Sequence, residues 1–171
     1  DRNKKRSRIN SLWEKLQSGQ KVFAVELDPP LNDDISKFMS GAWELKNAGV
    51  DIITIADCPI ARARMDSSML AAKIHRELGI DALPHLTCRD RNLNATKGLL
   101  LGLGMEGVDN VLAVTGDPIP TAERDEVKAV YNFNSRRLAA FIASLNENVL
   151  SNKVNVYGAL NVNAVNFDVQ L

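Results

Sequence analysis

Two cysteines in 171 residues are too few for a disulfide framework. Cys58 and Cys88 each follow a short apolar run, which leads us to expect a reducing, cytoplasmic setting. Neither sign of charge is in excess: Lys plus Arg and Asp plus Glu number 21 each, so the global basic field that draws nucleic acid or an anionic membrane is missing. A small ligand, recognised locally, suits that balance better. No apolar run approaches the length of a membrane span, and no signal-peptide pattern opens the chain. What is left is an ordinary globular composition, 45% hydrophobic and 25% charged, long enough for one sizeable core and read as one domain. Because the first residue is Asp1, the sequence is expected to begin inside a longer polypeptide.

What the chain does have is a recurring unit. A short apolar run ends on a polar residue, and the next begins about 29 residues later. The runs are Val22–Leu27 with Glu26, Ile52–Ala56 ending at Asp57, Ala82–Thr87 with His85 and Thr87, Val111–Thr115 before Gly116-Asp117, and Val154–Leu160 before Asn161. Helical patterns lie between them, at Asp34–Ala48, Asp66–Leu78, Asn92–Met105 and Ser135–Leu150. The order βαβαβαβα predicts parallel strands with right-handed crossovers, in which function gathers at the carboxyl ends of the strands. Gly49-Val50-Asp51, Gly79-Ile80-Asp81 and Gly107-Val108-Asp109 repeat the same signal, each setting a glycine where a left-handed helix cap is wanted. Ahead of the first strand, Ile9, Leu12, Trp13 and Leu16 share one face of a short helix stopping near Gly19. With its basic opening, residues 1–20 read as an N-terminal helix or linker, not a nucleic-acid arm.

Gly102-Leu103-Gly104-Met105-Glu106-Gly107 fits the dinucleotide pattern but in the wrong context. That motif must follow a strand and open a helix, whereas here it closes a helix and feeds a strand. Alternation within the strands favours a (β/α)8 barrel over a doubly wound sheet. Val22, Ala24 and Glu26 share a face, as do Leu83, His85 and Thr87, and as do Val111, Ala113 and Thr115 with Asp117 beyond them. Each strand then has one smaller or more polar face ending in a useful group and a bulkier face for helices. A full barrel takes about 250 residues, so about the first five βα units of an α/β TIM barrel are expected here.

Glu26 stands on an otherwise apolar strand. If partly withdrawn from water its charged form is disfavoured, which suits general acid work; a Glu paired with a base or leaning into solvent fits the spacing equally. Asp117 lies in a turn whose glycine lets a ligand approach, or makes an Asx-turn before Pro118. His85 is either a satisfied core histidine or, with Thr87, a hydrogen-bonding pair for a heterocycle. His85, Cys88 and Cys58 invite a metal, but the cysteines alternate to the helix-facing side, and no metal is expected.

Taken in order, Val25-Glu26-Leu27-Asp28-Pro29-Pro30, Pro84-His85-Leu86-Thr87-Cys88 and Val114-Thr115-Gly116-Asp117-Pro118 resemble the methylenetetrahydrofolate reductases over about residues 22–171. Gly158-Ala159-Leu160-Asn161-Val162-Asn163 and Asp28-Pro29-Pro30 are most similar to the reductase module fused behind a homocysteine S-methyltransferase module in some bacterial chains. The resemblance implies that residues 21–171 are the N-terminal part of a flavin-binding TIM-barrel reductase domain. Such an enzyme carries FAD, takes hydride from NADH or NADPH, and delivers it to methylenetetrahydrofolate to give methyltetrahydrofolate. By the same resemblance Glu26 is the general acid, and Asp117 is the carboxylate between flavin and pterin. Asp57, His85, Thr87, Thr115, Gly116 and Asn163 fall at or near cofactor-binding positions. A homo-oligomer is expected.

The chain also departs from the family. Thr115 stands where many members have Arg, and Ala56-Asp57 where many have Thr followed by an aromatic residue, which bears on flavin and nicotinamide binding. Two alternatives remain: a flavin-free pterin barrel that transfers a methyl group, and a non-catalytic barrel subunit. Two carboxylates at one mouth argue against a mere scaffold.

Overall fold

The computed structural model describes residues 11–123 and 126–163. Helix α1 (Ser11–Gln17) precedes β1 (Ala24–Leu27), α2 (Ser36–Asn47), β2 (Ile52–Ile55), α3 (Ser67–Leu78), β3 (Asp81–Thr87), α4 (Leu93–Glu106), β4 (Asn110–Val114), α5 (Ser135–Asn148) and β5 (Asn155–Gly158). The strands form one sheet in the order β1-β2-β3-β4-β5, every neighbouring pair parallel. Each crossover carries a helix, as parallel pairing requires.

The helix ends follow from local chemistry. Asp66 accepts from Ser68 N (2.9 Å) and Met69 N (3.1 Å) at the start of α3, while Asn92 and Asn134 accept from Ala95 N and Arg137 N, each at 2.9 Å. These side chains satisfy amide groups that a first turn leaves unpaired. At the other end Gly79 and Gly107 stop α3 and α4 with φ of 65° and 77°, and Gly102–Gly107 closes a helix before β4 as its context predicts.

The main core lies between one face of the sheet and the helices, with Ile53, Ile55, Ala82, Leu86, Val111 and Ala113 meeting Ala42, Leu70, Ile74, Leu100, Leu138 and Ile142. On the opposite face Ile52, Leu83, Leu112 and Tyr157 pack with Leu12 of α1. One sequence expectation is corrected here. Val111 and Ala113 face the helices, and Leu112 and Val114 take the site side of β4. The register explains it: Leu112 aligns with His85 of β3 and Tyr157 of β5, and aligned residues of a parallel sheet share a face.

The aspartates of the Gly-Val/Ile-Asp repeat sit at the amino ends of the strands. Asp51 receives Lys15 Nζ and Phe23 N (2.8 Å), and Asp81 receives Ser11 Oγ. Helix α1 is thereby tied beneath β2 and β3 with Leu12 buried, and residues 1–10 of the segment read as a helix or linker lie outside the described residues. The expected barrel is represented by four complete βα units and a fifth strand among the described residues, consistent with part of a TIM barrel. The sheet is not closed: β1 and β5 are both edge strands. No described helix is long and apolar enough to cross a membrane.

Candidate functional site

The carboxyl ends of β1 to β4 surround a cavity of about 350 Å³. Glu26 enters it from β1, His85 and Thr87 from β3, Asp57 from just beyond β2, and Gly116 and Asp117 from the turn after β4. His85 and Thr87 meet because they stand two apart on one strand, where alternate side chains share a face.

Glu26 Oε2 lies 3.7 Å from His85 Nε2, with the glutamate side chain 56% exposed and the imidazole 16%. Burial holds His85 below the ordinary histidine range, although the carboxylates of Glu26 and Asp57 pull the other way. The ring is therefore neutral at neutral pH. At 3.7 Å, against a neutral ring, the contact is no full ion pair. Of the readings the sequence left open for Glu26, the side chain follows the one that leans into solvent while facing His85.

Asp57 is buried and saturated on one oxygen. Its Oδ2 accepts from Thr87 N (3.0 Å), Thr87 Oγ1 (2.9 Å) and Arg91 Nη1 (2.6 Å). Arg91 reaches on through Nη2 to Asp66 Oδ2 (2.8 Å), the carboxylate that caps α3. Burial opposes the charge on Arg91, and Asp57 and Asp66 together outweigh it. The residue expected to touch cofactor is thus mainly engaged with protein.

Asp117 is held from three directions. Its Oδ2 accepts from Ile60 N (2.8 Å), and its carbonyl accepts from Arg89 Nη1 and Tyr131 Oη, both at 3.2 Å. Arg89, 1% exposed, also donates from Nη2 to the Cys58 carbonyl (3.3 Å) and grips Asp90 through Nε and Nη2. The clamped loop is strained: Cys58, Ile60 and Ala61 have φ of 45°, 57° and 55°, a region that a β-branched residue such as Ile60 avoids. Gly116 has φ of 95°, and a Cβ added there would meet Thr87 Cβ at 3.0 Å. Glycine is required for the turn and for packing against Thr87.

Thr115 and Asn163 lie elsewhere. Thr115 Oγ1 accepts from Ser135 N (3.3 Å) and lines a second cavity of about 810 Å³ between β4, β5 and the start of α5. Val114 borders both cavities. Asn163, exposed beyond β5, donates its backbone N–H to Asn161 Oδ1 (3.0 Å) and lines neither. Cys88 packs in the helix-side core with its thiol pushed up to about 11 by burial. No group of three His, Cys, Asp or Glu able to hold a metal forms among the described residues.

Arg89 and Arg91 were missed in the sequence. Their signal was Cys88-Arg89-Asp90-Arg91 directly after a strand, two cations at the end where carboxylates collect.

A parallel sheet that gathers carboxylates, an imidazole and a hydroxyl beyond its carboxyl ends has the arrangement of an α/β enzyme. Residues 11–171 match the methylenetetrahydrofolate reductase family, and the chain belongs to that family. Membership identifies an oxidoreductase of folate and one-carbon metabolism. The match takes in α1 as well as the strands and loops that carry the motifs.

Proposed function

We propose that this chain forms part of an enzyme that reduces 5,10-methylenetetrahydrofolate to 5-methyltetrahydrofolate, with FAD as its bound cofactor and NADH or NADPH as electron donor. The observation that carries this reading, in a member of the family, is the convergence of Glu26, His85 and Asp117 on one cavity.

Two cavities that share Val114 in their linings support the reading of an elongated cofactor. The smaller offers hydroxyl, imidazole and carboxylate to a polar ring, and the larger has Ser135 and Arg136 in the first turn of α5, where the positive end of the helix dipole and the Arg136 cation suit a pyrophosphate. Arg136 would supply the positive charge that Thr115 cannot. A bound flavin would supply a two-electron carrier between nicotinamide and folate.

In this reading the half-exposed Glu26 gives a proton to the ring nitrogen of the folate imidazolidine, opening it to an iminium cation. Asp117, held by Ile60 N and through its carbonyl by Arg89, sets a fixed negative charge beside that cation. His85, being neutral, offers a hydrogen bond and not a competing positive charge. A fused homocysteine S-methyltransferase module, a homo-oligomer and a cytoplasmic setting accompany the same proposal.

The test is the visible absorption spectrum of the full-length protein, with the released chromophore identified by mass. A flavin band yielding FAD supports the reading. A protein that stays colourless after incubation with excess flavin overturns it.

A further inference from the structure

The hydrogen bonds of Asp57 determine what Thr87 offers to the cavity. Asp57 Oδ2 is within hydrogen-bond distance of Thr87 N and Arg91 Nη1, and both can only donate. That oxygen is therefore an acceptor, and Thr87 Oγ1, at 2.9 Å from it, must give it the hydroxyl hydrogen. A threonine hydroxyl has one hydrogen and two lone pairs. With the hydrogen committed, Thr87 has only acceptor capacity left for anything bound in the cavity it lines.

The arrangement is rigid. Thr87 is buried at the end of β3, its Cβ stands against Gly116, and the Asp57 side chain is 2% exposed, out of reach of most of a ligand. Arg91 fixes Asp57 in turn through its second bond, to the cap of α3. Nothing nearby lets the hydroxyl reverse its direction cheaply, because reversal would take a donor from a buried carboxylate.

We propose that Asp57 is a positioning residue that acts through Thr87, fixing Oγ1 as an acceptor so that the cavity selects a ring presenting an N–H: the imide of a flavin or the lactam of a pterin. This rests on the reading of the cavity given above and names the edge by which the ring is recognised. It also revises the expected role of Asp57 from cofactor contact to support.

The test compares each ring with its 3-deaza analogue, in which carbon replaces the ring nitrogen and removes the N–H donor at nearly the same size. Flavin-free full-length protein is titrated with FAD and 3-deaza-FAD by fluorescence, and with tetrahydrofolate and its 3-deaza analogue by calorimetry. Wild type is expected to favour the parent ring by about tenfold in one arm, which identifies the ring concerned. Thr87→Ser should keep that ratio, and Thr87→Val, of like size but without lone pairs, should bring it close to one. Asp57→Asn, whose amide can donate, should reduce the ratio with Thr87 intact. A ratio near one in both wild-type arms, or one unmoved by Thr87→Val, overturns the proposal while leaving the site reading in place. A ratio unmoved by Asp57→Asn overturns the positioning role. Wild type that binds neither parent ring overturns the site reading and the proposal with it.

Discussion

Arg91 Nη1 lies 2.6 Å from Asp57 Oδ2, joining the loop after β3 to the end of β2 beneath the cavity. Removing one partner of a buried pair leaves a charge with no compensation, which costs more than the intact pair contributes. Arg91→Ala is expected to lower stability by about 3 kcal/mol. Urea unfolding of the full-length protein checks this, and a loss under about 1 kcal/mol would mean that water reaches Asp57 readily.

His85 gives the fold a pH dependence of known sign. Its folded-state pKa lies below the ordinary value of 6.5 because burial disfavours the cation, so the unfolded chain binds the proton more readily. The stability associated with the neutral ring is complete above 6.5 and falls away as pH drops through that value toward the folded-state pKa. His85→Gln should flatten this part of the profile. Unfolding midpoints at pH 7.5 and 5.5 that shift equally in both proteins would refute the assignment.

Two glycines should respond oppositely to alanine. Gly116→Ala meets both a φ of 95° and a 3.0 Å approach to Thr87 Cβ, and is expected to cost about 2 kcal/mol or more. Gly102→Ala, inside α4 with open space around it, should gain about 0.8 kcal/mol. Thermal unfolding distinguishes the two, and the same sign for both would contradict the backbone argument.

The two thiols should differ in reactivity. Cys88 is buried and its thiol is pushed up to about 11, so it should resist alkylation at pH 8 in the native protein. Cys58 is partly exposed and should be modified first. Peptide mapping after brief iodoacetamide treatment reads this directly, and equal labelling would show that β3 opens easily.

Glu26→Gln separates proton donation from the rest of the proposed reaction. Folate reduction should fall by about 10²- to 10⁴-fold, with reduction of bound flavin by nicotinamide unaffected. If both half-reactions keep their wild-type rates, Glu26 is not the acid.

The strands and helices were legible because their signals are local and repeated. Asp66, Asn92 and Asn134 announce the helix starts, Gly79 and Gly107 the stops, and each does so within a turn of chain. The meeting of Glu26, His85 and Asp117 was legible too, since each stands at or just beyond a strand end. The face of β4 was not. Val111-Leu112-Ala113-Val114 is apolar on both sides, and only its register with β3 and β5 decides which side takes the helices. The exposure of Glu26 depends on what covers β1, an edge strand, and its own neighbours in sequence carry no trace of that. Arg89 and Arg91 escaped because a basic residue in a loop ordinarily reads as solvated. Their partners Cys58, Asp57 and Asp66 lie 31, 34 and 25 residues away, respectively.

Helix α1 is fastened to residues that follow it at long range: Lys15 holds Asp51, 36 residues on, and Ser11 holds Asp81, 70 residues on. A chain emerging from the ribosome makes α1 before either partner exists, and closing such long loops has an entropic cost that only the assembled strands can repay. The element synthesised first among those described can therefore complete its docking only after β2 and the start of β3 have been made.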